Sequence, residues 1–541
     1  MFKSCHLISH RLVTLTVTTS LLVPTLGLNL NPPVVQALTS DYCQTTNTEA
    51  SQKEALLTAA VNGTLTAKQR YQARLEEDAL KLQRCRNQSW LKTQAIWLRL
   101  HDCDLRPGVL DGLMDRIVNR GYNQVYVEVF YQGRVLLPTA DNPSPWSSAV
   151  RESQYTNRDL LAEAIRKGRE RGLKVYAWLF SLNYGYTYGI QPERQPLLAR
   201  NGLGQTSLNL FNTSQATVEL SGDLDAAFID PYNPQARRDY NSLLQAVLQR
   251  RPDGVLFDYI RYPRQQGGAS VATKISDLWI YGDAAQAALL SRATNQKGRF
   301  LIQKYIEQGK LTLGDITQAD TLYPQEGPAQ WQGRKVDTKA KLPPPQNRLY
   351  SLQRDLWLLG VAHAYQGVLD FLRAAAYPVQ RQRLPAGAVF FPDANRRVGQ
   401  GFDSRMQPWD YFPKNIEWHA MSYGVCGDTS CIVDQVKRVA EKAEPNTHLS
   451  PVIAGAWTGF AYNRPSLVQQ MEDIRQAVPE IKAISHFDFS WQDPQFANAR
   501  RSCRISYESA SQLGEPQAGL GDRVSPTSSG IAMQRDPIAF R

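Results

Sequence analysis

Residues 253–264 read DGVLFDYIRYPR. An apolar run from Gly254 to Phe257 ends in a carboxylate, Asp258, and Tyr259, Arg261, Tyr262 and Arg264 follow at once. The run is apolar at successive rather than alternate positions, as in a strand of a parallel sheet with both faces buried. A strand that opens into Asp-Tyr-x-Arg-Tyr-Pro predicts a carboxylate presented at its C-terminal end to a polar, aromatic-lined pocket.

Working outward, the same strand, turn and helix unit recurs on both sides. Upstream, strands are predicted over 95–100, 124–130 and 173–180 (LKVYAWLF). Helices are predicted over 107–119 and 157–171, each stopped by a glycine, Gly121 and Gly172. A polar Gly- and Tyr-rich loop runs to about 228, and a helix from Pro234 to Arg251 leads into the strand 254–259. Downstream, strands are expected over 387–391, 416–423, 449–457 and 483–489, with helices over 349–376, 432–444 and 465–478. Eight such units imply an α/β fold, a (β/α)₈ TIM barrel over residues 94–505. A doubly wound open sheet is the alternative, but no glycine-rich phosphate turn follows the first strand.

Three segments fall outside the repeat. Residues 38–93 carry Leu and Ala at helical spacings, broken at Asn62-Gly63, and predict an N-terminal helical region. Residues 263–346, after the fourth strand, form a long insertion with Gly and Pro clusters and the run LPPPQ. Its length predicts a lid or subdomain, helical in part over 281–308. Residues 506–541 are rich in Ser, Gly, Pro and Gln and are expected to be disordered.

The chain has 541 residues, 42% hydrophobic and 21% charged, an ordinary globular balance with ample length for a large core. Its net charge of +11 is spread among interleaved acids, which argues for a solvated basic surface and against a nucleic-acid partner. Such a basic surface also suits peripheral association with an anionic cell envelope. Residues 1–37 read as a signal peptide: Lys3, His10 and Arg11, an apolar run from Leu12 to Leu30, and the small-residue site Val35-Gln36-Ala37; a retained membrane anchor is the alternative, disfavoured by the Thr, Ser, Asn and Pro within the run. The protein is therefore expected to be exported, to the periplasm, the cell envelope or the extracellular space. Beyond Cys5, six cysteines remain, an even number that suits disulfides there. Cys426 and Cys431 flank a short loop, Cys43 and Cys85 bracket the helical region, and Cys103 and Cys503 would join the start of the barrel to its end. Six cysteines allow fifteen connectivities.

In this fold reactive groups gather at the C-terminal ends of the strands. Those ends offer Asp258, Asp393 and Glu128 as catalytic carboxyl groups, with Asp393 the first choice of partner for Asp258. Arg261, Tyr262, Tyr184, His419, Tyr423, Trp457, Asp488 and Trp491 are candidates for binding substrate. Each also has a plainer reading: an Asp258–Arg261 salt bridge, a turn at Asp393, core or rim aromatics, packed histidines. Carboxylates among Trp and Tyr, without a GxSxG nucleophile, fit glycoside chemistry, in which one carboxyl protonates the leaving oxygen and the other attacks the sugar carbon or activates water. No CxxC pair is present, and His101, His419 and His486 lie on different strands. Neither a metal site nor a cofactor is therefore expected, which weighs against a metal-dependent deacetylase.

IDPYNPQARRDY (229–240) followed by DGVLFDYIRYPR (253–264) resembles the paired motifs of bacterial family 10 glycosylhydrolase-like proteins, the TIM-barrel group with an FDYIR-P motif. AIWLRLHDCD, GYNQVYVEVF and RGLKVYAWLF are similar to the same group. The resemblance covers 94–265 well, 380–495 loosely and the insertion hardly at all. It implies hydrolysis of O-glycosidic bonds in a carbohydrate polymer, with Asp258 as a catalytic carboxylate. Asp230 stands at the other motif's position, with capping of the helix near Pro234 as its structural alternative. A catalytically inactive barrel that binds glycan or organises the envelope is the other functional reading.

Overall fold

Eight parallel strands close around a common interior in the computed structural model, which describes residues 42–131, 133–212, 226–337 and 341–508. The strands are β1 Thr93–Leu98, β2 Gln124–Tyr131, β3 Lys174–Phe180, β4 Gly254–Asp258, β5 Ala386–Phe390, β6 Glu417–Ala420, β7 Val452–Ala454 and β8 Ala483–Phe487. They pair in the order β6-β5-β4-β3-β2-β1-β8-β7. The ring is completed by parallel bridges Trp418 to Leu449 and Met421 to Val452, with Ser450 N donating to Trp418 O at 2.9 Å and Ser422 N to Val452 O at 2.9 Å. An open sheet is thereby ruled out. The expected signal segment lies outside the described residues, as does the expected tail from residue 509. Among the described residues no helix is long and apolar enough to cross a membrane.

The apolar runs become strands because both faces are covered. All of β4 is buried, and so is β2 up to its last residue. Helices wrap the outside: α3 Val109–Asn119, α4 Leu160–Arg169, α5 Pro234–Gln249, the 37-residue α9 Pro345–Arg381, α10 Ser430–Ala440 and α11 Leu467–Ala477. In α3 the buried side chains include Leu110, Leu113, Met114 and Ile117, the three- and four-residue spacing of one helix face. The interior has to accommodate several large rings. Gly254 and Gly387 stand at inward positions, where a Cβ would meet the Tyr176 ring at 2.4 Å and the His419 ring at 2.9 Å. The two glycines leave room for those rings in the lower barrel.

The N-terminal region is a helical hairpin, α1 Asn47–Asn62 and α2 Leu65–Gln88, packed on α3. It is tied down by the Tyr71 hydroxyl, which donates to Asp115 at 2.7 Å, and by the Cys43–Cys85 disulfide. Cys103 is bonded to Cys503 and Cys426 to Cys431, so all three expected pairs form. Among its described residues the insertion includes the α-helices α6 Asp283–Leu290, α7 Gln296–Gln308 and α8 Leu313–Leu322. Asp230 anchors it. The cap of α5 is Asn233, which accepts from Gln235 N and Ala236 N, so the alternative role for Asp230 is set aside. Asp230 instead accepts from Tyr232 N and, at 2.9 Å, from Ala285 N in α6. Burial lifts its carboxyl to about 6, against the pull of those two donors.

Candidate active site

Side chains alternate along each strand, so the register decides which face the interior. Trp97 pairs with Tyr126, and Glu128 with Trp178; Phe180 pairs with Asp258. Trp97 and Trp178 meet edge to face at 4.7 Å and, with Tyr126, fill the middle of the barrel. Trp97 Nε1 donates to Ser485 Oγ at 3.1 Å. One step further along the strands lies a polar layer at the mouth.

Asp258 ends β4 in that layer and is buried. Its Oδ2 accepts from Trp178 Nε1 at 3.0 Å and its Oδ1 from the Tyr259 N–H at 2.6 Å. Tyr259 takes a φ of 50°, in the left-handed region unusual for a residue with a Cβ. This turn re-aims the chain just after the carboxylate. Phe180 packs against Tyr259 with ring centroids 4.2 Å apart and planes tilted by 33°, and Arg261 lies over the Tyr259 ring at 4.6 Å.

Glu128 faces the same layer from β2. Its register shifts immediately afterwards, between Glu128 and Phe130, as at a bulge that redirects a strand near its end. Its Oε2 accepts from Arg99 Nε at 2.6 Å, and its Oε1 has no hydrogen-bond partner among the described residues. Burial pushes the Glu128 carboxyl up to about 7, although Arg99 opposes the rise. The negative charges of Asp488 and Asp258 add to it, which places both carboxylates within electrostatic reach. The Arg99 side chain is 38% exposed and its Nη1 lies 3.7 Å from Asp488 Oδ2. Asp488 caps the short helix after β8, accepting from Ser490 N at 2.9 Å. The Tyr423 hydroxyl is raised by burial, then by Asp258 and Asp488. Its ring lies 5.9 Å from Phe487. Five strand ends therefore converge: β2, β4, and the segments after β1, β6 and β8.

Asp393 follows β5 and faces Arg405. It is partly exposed and pairs with Arg405 at 3.3 Å, beside the Asp403–Arg405 pair at 2.7 Å. Of the two further candidate acids, Glu128 is buried beside Arg99, and Asp393 is partly exposed beside Arg405.

Four expected binding residues are elsewhere. Tyr184 is fully buried behind the barrel, its hydroxyl donating to Ala236 O at 2.7 Å. Tyr262 is buried beside Gly367 of α9, its hydroxyl 3.2 Å from where a Cβ there would lie. His419 points inward, but in the lower barrel, with Nε2 3.1 Å from Glu417 and its ring against Tyr126. Trp457 packs on Tyr42 at 5.5 Å and on His486 at 5.6 Å in the outer layer. Tyr184, Tyr262 and Trp457 follow the ends of β3, β4 and β7, where the loop path sets their direction, and His419 lies one layer lower. Trp491 lies on the rim, its ring 4.7 Å from Tyr462. Trp178 was absent from the expected set, and Arg99, at the end of the first strand, had no role assigned to it. The two-residue period through Ala95, Trp97 and Arg99, and through Tyr176, Trp178 and Phe180, was the signal that both face inward.

Among the described residues, one group of potential ligand atoms lies close enough to hold a metal: Cys103, Glu152 and Cys503. Its two sulfurs form a disulfide, which removes the thiolates a metal would need.

Residues 105–295 match the family model described as Glycosyl hydrolase-like 10, in agreement with the resemblance read from the two motifs. A comparison with curated protein sequences finds no match. Solved structures with similarity include the PgaB (BpsB) glycoside hydrolase domain from Bordetella bronchiseptica, at 15% identity and a TM-score of 0.45, covering 75% of this chain and 98% of that one. The catalytic domain of beta-amylase from Paenibacillus polymyxa aligns at 9% identity and a TM-score of 0.42, covering 76% and 97%. The GH20 exo beta-N-acetylglucosaminidase from Vibrio harveyi, in complex with N-acetylglucosamine, aligns at 9% identity and a TM-score of 0.36, covering 76% and 54%.

Proposed function

We propose that this protein is an exported glycoside hydrolase that cleaves O-glycosidic bonds in an envelope or extracellular polysaccharide. The observation that carries the reading is a pair of unlike carboxyl groups at one barrel mouth. Glu128 is raised to about 7 by burial and so keeps its proton near neutrality, while Asp258 is held by two N–H donors. Environments that differ in this way separate a proton donor from a carboxylate. In this reading Glu128 protonates the leaving oxygen, and Asp258 attacks the sugar carbon or activates water on its far side. Arg99 holds Glu128 in place, while Asp488 and Tyr423 contact the sugar hydroxyls. Three disulfides support folding in an oxidising compartment, in keeping with export.

The test is a screen of bacterial envelope and storage polysaccharides for new reducing ends, using residues 38–541 as wild type, Asp258→Asn and Glu128→Gln. The wild type is expected to release product, and each variant to lose at least about 10³-fold in rate while keeping its near-ultraviolet dichroism. Full activity in Asp258→Asn would sink the assignment. Glycan retained in a pull-down, with no product from the wild type, would establish a binding barrel instead.

A further inference from the structure

Beside the mouth, on the β7–β8 side, the loop 455–466 carries two large side chains out into water. Phe460 is 61% exposed and Tyr462 is 72% exposed. Exposed aromatics in a group are unusual enough to need a reason. Tyr462 and Asn463 are the central residues of a tight turn closed by reciprocal 3.0 Å hydrogen bonds between Ala461 and Arg464. Both have positive φ, 51° and 57°. Such turns favour Gly, Asn and Asp at their centre. Asn463 fits that preference, whereas Tyr462 occupies its position at a conformational cost.

The turn is fastened to the site. Arg464 is buried, and its Nη2 donates to the carbonyl of Tyr423 at 2.9 Å. Its Nη1 donates to the carbonyl of Tyr462 at 3.3 Å. Tyr462 in turn rests on Trp491, with ring centroids 4.7 Å apart and planes tilted by 40°. Trp491 N donates to the carbonyl of Asp488 at 3.1 Å. The aromatic pair is thus linked to Tyr423 through Arg464, which donates to both carbonyls, and to Asp488 by a backbone hydrogen bond, the two residues that border the carboxyl cluster.

We propose that Tyr462 and Trp491 form a sugar-stacking platform that binds a pyranose unit of the polymer beyond the bond being cleaved. The C–H face of a pyranose carries partial positive charge and is attracted to the negative face of an aromatic ring. A strained turn that keeps Tyr462 in water is accounted for by a ligand that covers it. The proposal rests on the carbohydrate reading above and adds to it a dependence on chain length.

The test measures binding, so that it is separable from catalysis. Two-unit and six-unit chito-, cello- and malto-oligosaccharides are titrated calorimetrically into the full chain carrying Asp258→Asn. In at least one series the six-unit chain is expected to bind more tightly than the two-unit chain. Adding Tyr462→Ala or Trp491→Ala should lower that preference about 3- to 10-fold, and Trp491→Phe should restore most of it. An unchanged preference in both alanine variants overturns the platform, and so does the absence of binding in every series. If the wild type hydrolyses a polysaccharide while the preference is unchanged, the hydrolase reading stands and the platform falls. If the preference drops but no polysaccharide is hydrolysed, the platform stands and the hydrolase reading falls.

Discussion

Glu128→Gln isolates the property on which the proposed chemistry depends. The wild-type carboxyl is raised to about 7 from an ordinary 4.5 because it is buried. Between those two values the folded protein holds a proton that the unfolded chain has released. The stabilisation from holding it is complete below about 4.5 and is lost as the pH rises through about 7. At about 1.4 kcal/mol per pH unit the full effect is about 3 kcal/mol, of which about 2.5 kcal/mol falls between pH 5 and pH 8. Glutamine has nearly the same shape and does not titrate. Arg99, with a side chain 38% exposed, regains water when its partner becomes neutral and stays charged throughout this window. The assay is urea unfolding of the oxidised protein at pH 5 and pH 8, followed by tryptophan fluorescence. The wild type should lose about 2.5 kcal/mol more than Glu128→Gln between the two conditions. Slopes that agree within about 1 kcal/mol would show that Glu128 titrates as an ordinary carboxylate. It would then be ionised near neutrality and unable to donate the proton assigned to it.

Two further outcomes follow from the same contacts. Arg99→Met removes the cation that opposes the rise in Glu128, so the alkaline limb of the kcat/KM profile should move up by about one pH unit, discounted for the exposure of Arg99; a limb that stays in place or moves down refutes the pairing. Asp230→Ala leaves the Tyr232 and Ala285 N–H groups without an acceptor, at a cost of about 2–4 kcal/mol. Limited proteolysis within 263–346 should then run faster than in the wild type, and equal rates would show that Asp230 does not anchor the insertion.

Much of the barrel was legible because its signal is local. The runs AIWLRL, LKVYAWLF and DGVLF are apolar on successive residues, and each is followed or preceded by a helix with a clear stop. The boundaries moved by a few residues: β7 is Val452–Ala454 rather than 449–457, because pairing geometry ends a strand before its apolar run ends. Asp258 was legible for a similar reason, as a charge closing an apolar run. The surroundings of the other candidate acids were not. Asp393 and Glu128 look alike in sequence, and only packing separates them: Asp393 sits beside Arg405, while Glu128 is enclosed with one oxygen unpaired.

By itself the sequence determined the class of fold, the strand that carries Asp258 and the residue types available at each strand end, since these follow from hydrophobic period and turn chemistry between near neighbours. The tertiary structure decided which of those residues meet. Tyr184 and Trp457 lie beyond the ends of β3 and β7, where the path of the loop and not the strand period sets their surroundings, and a shift of two along β6 lowers a side chain by a layer, as for His419. Register, closure of β6 onto β7, and the docking of Arg99 on Glu128 arise between segments far apart in the chain. The electrostatics of the site are set at those meetings, through burial and charge at distances the linear order does not contain.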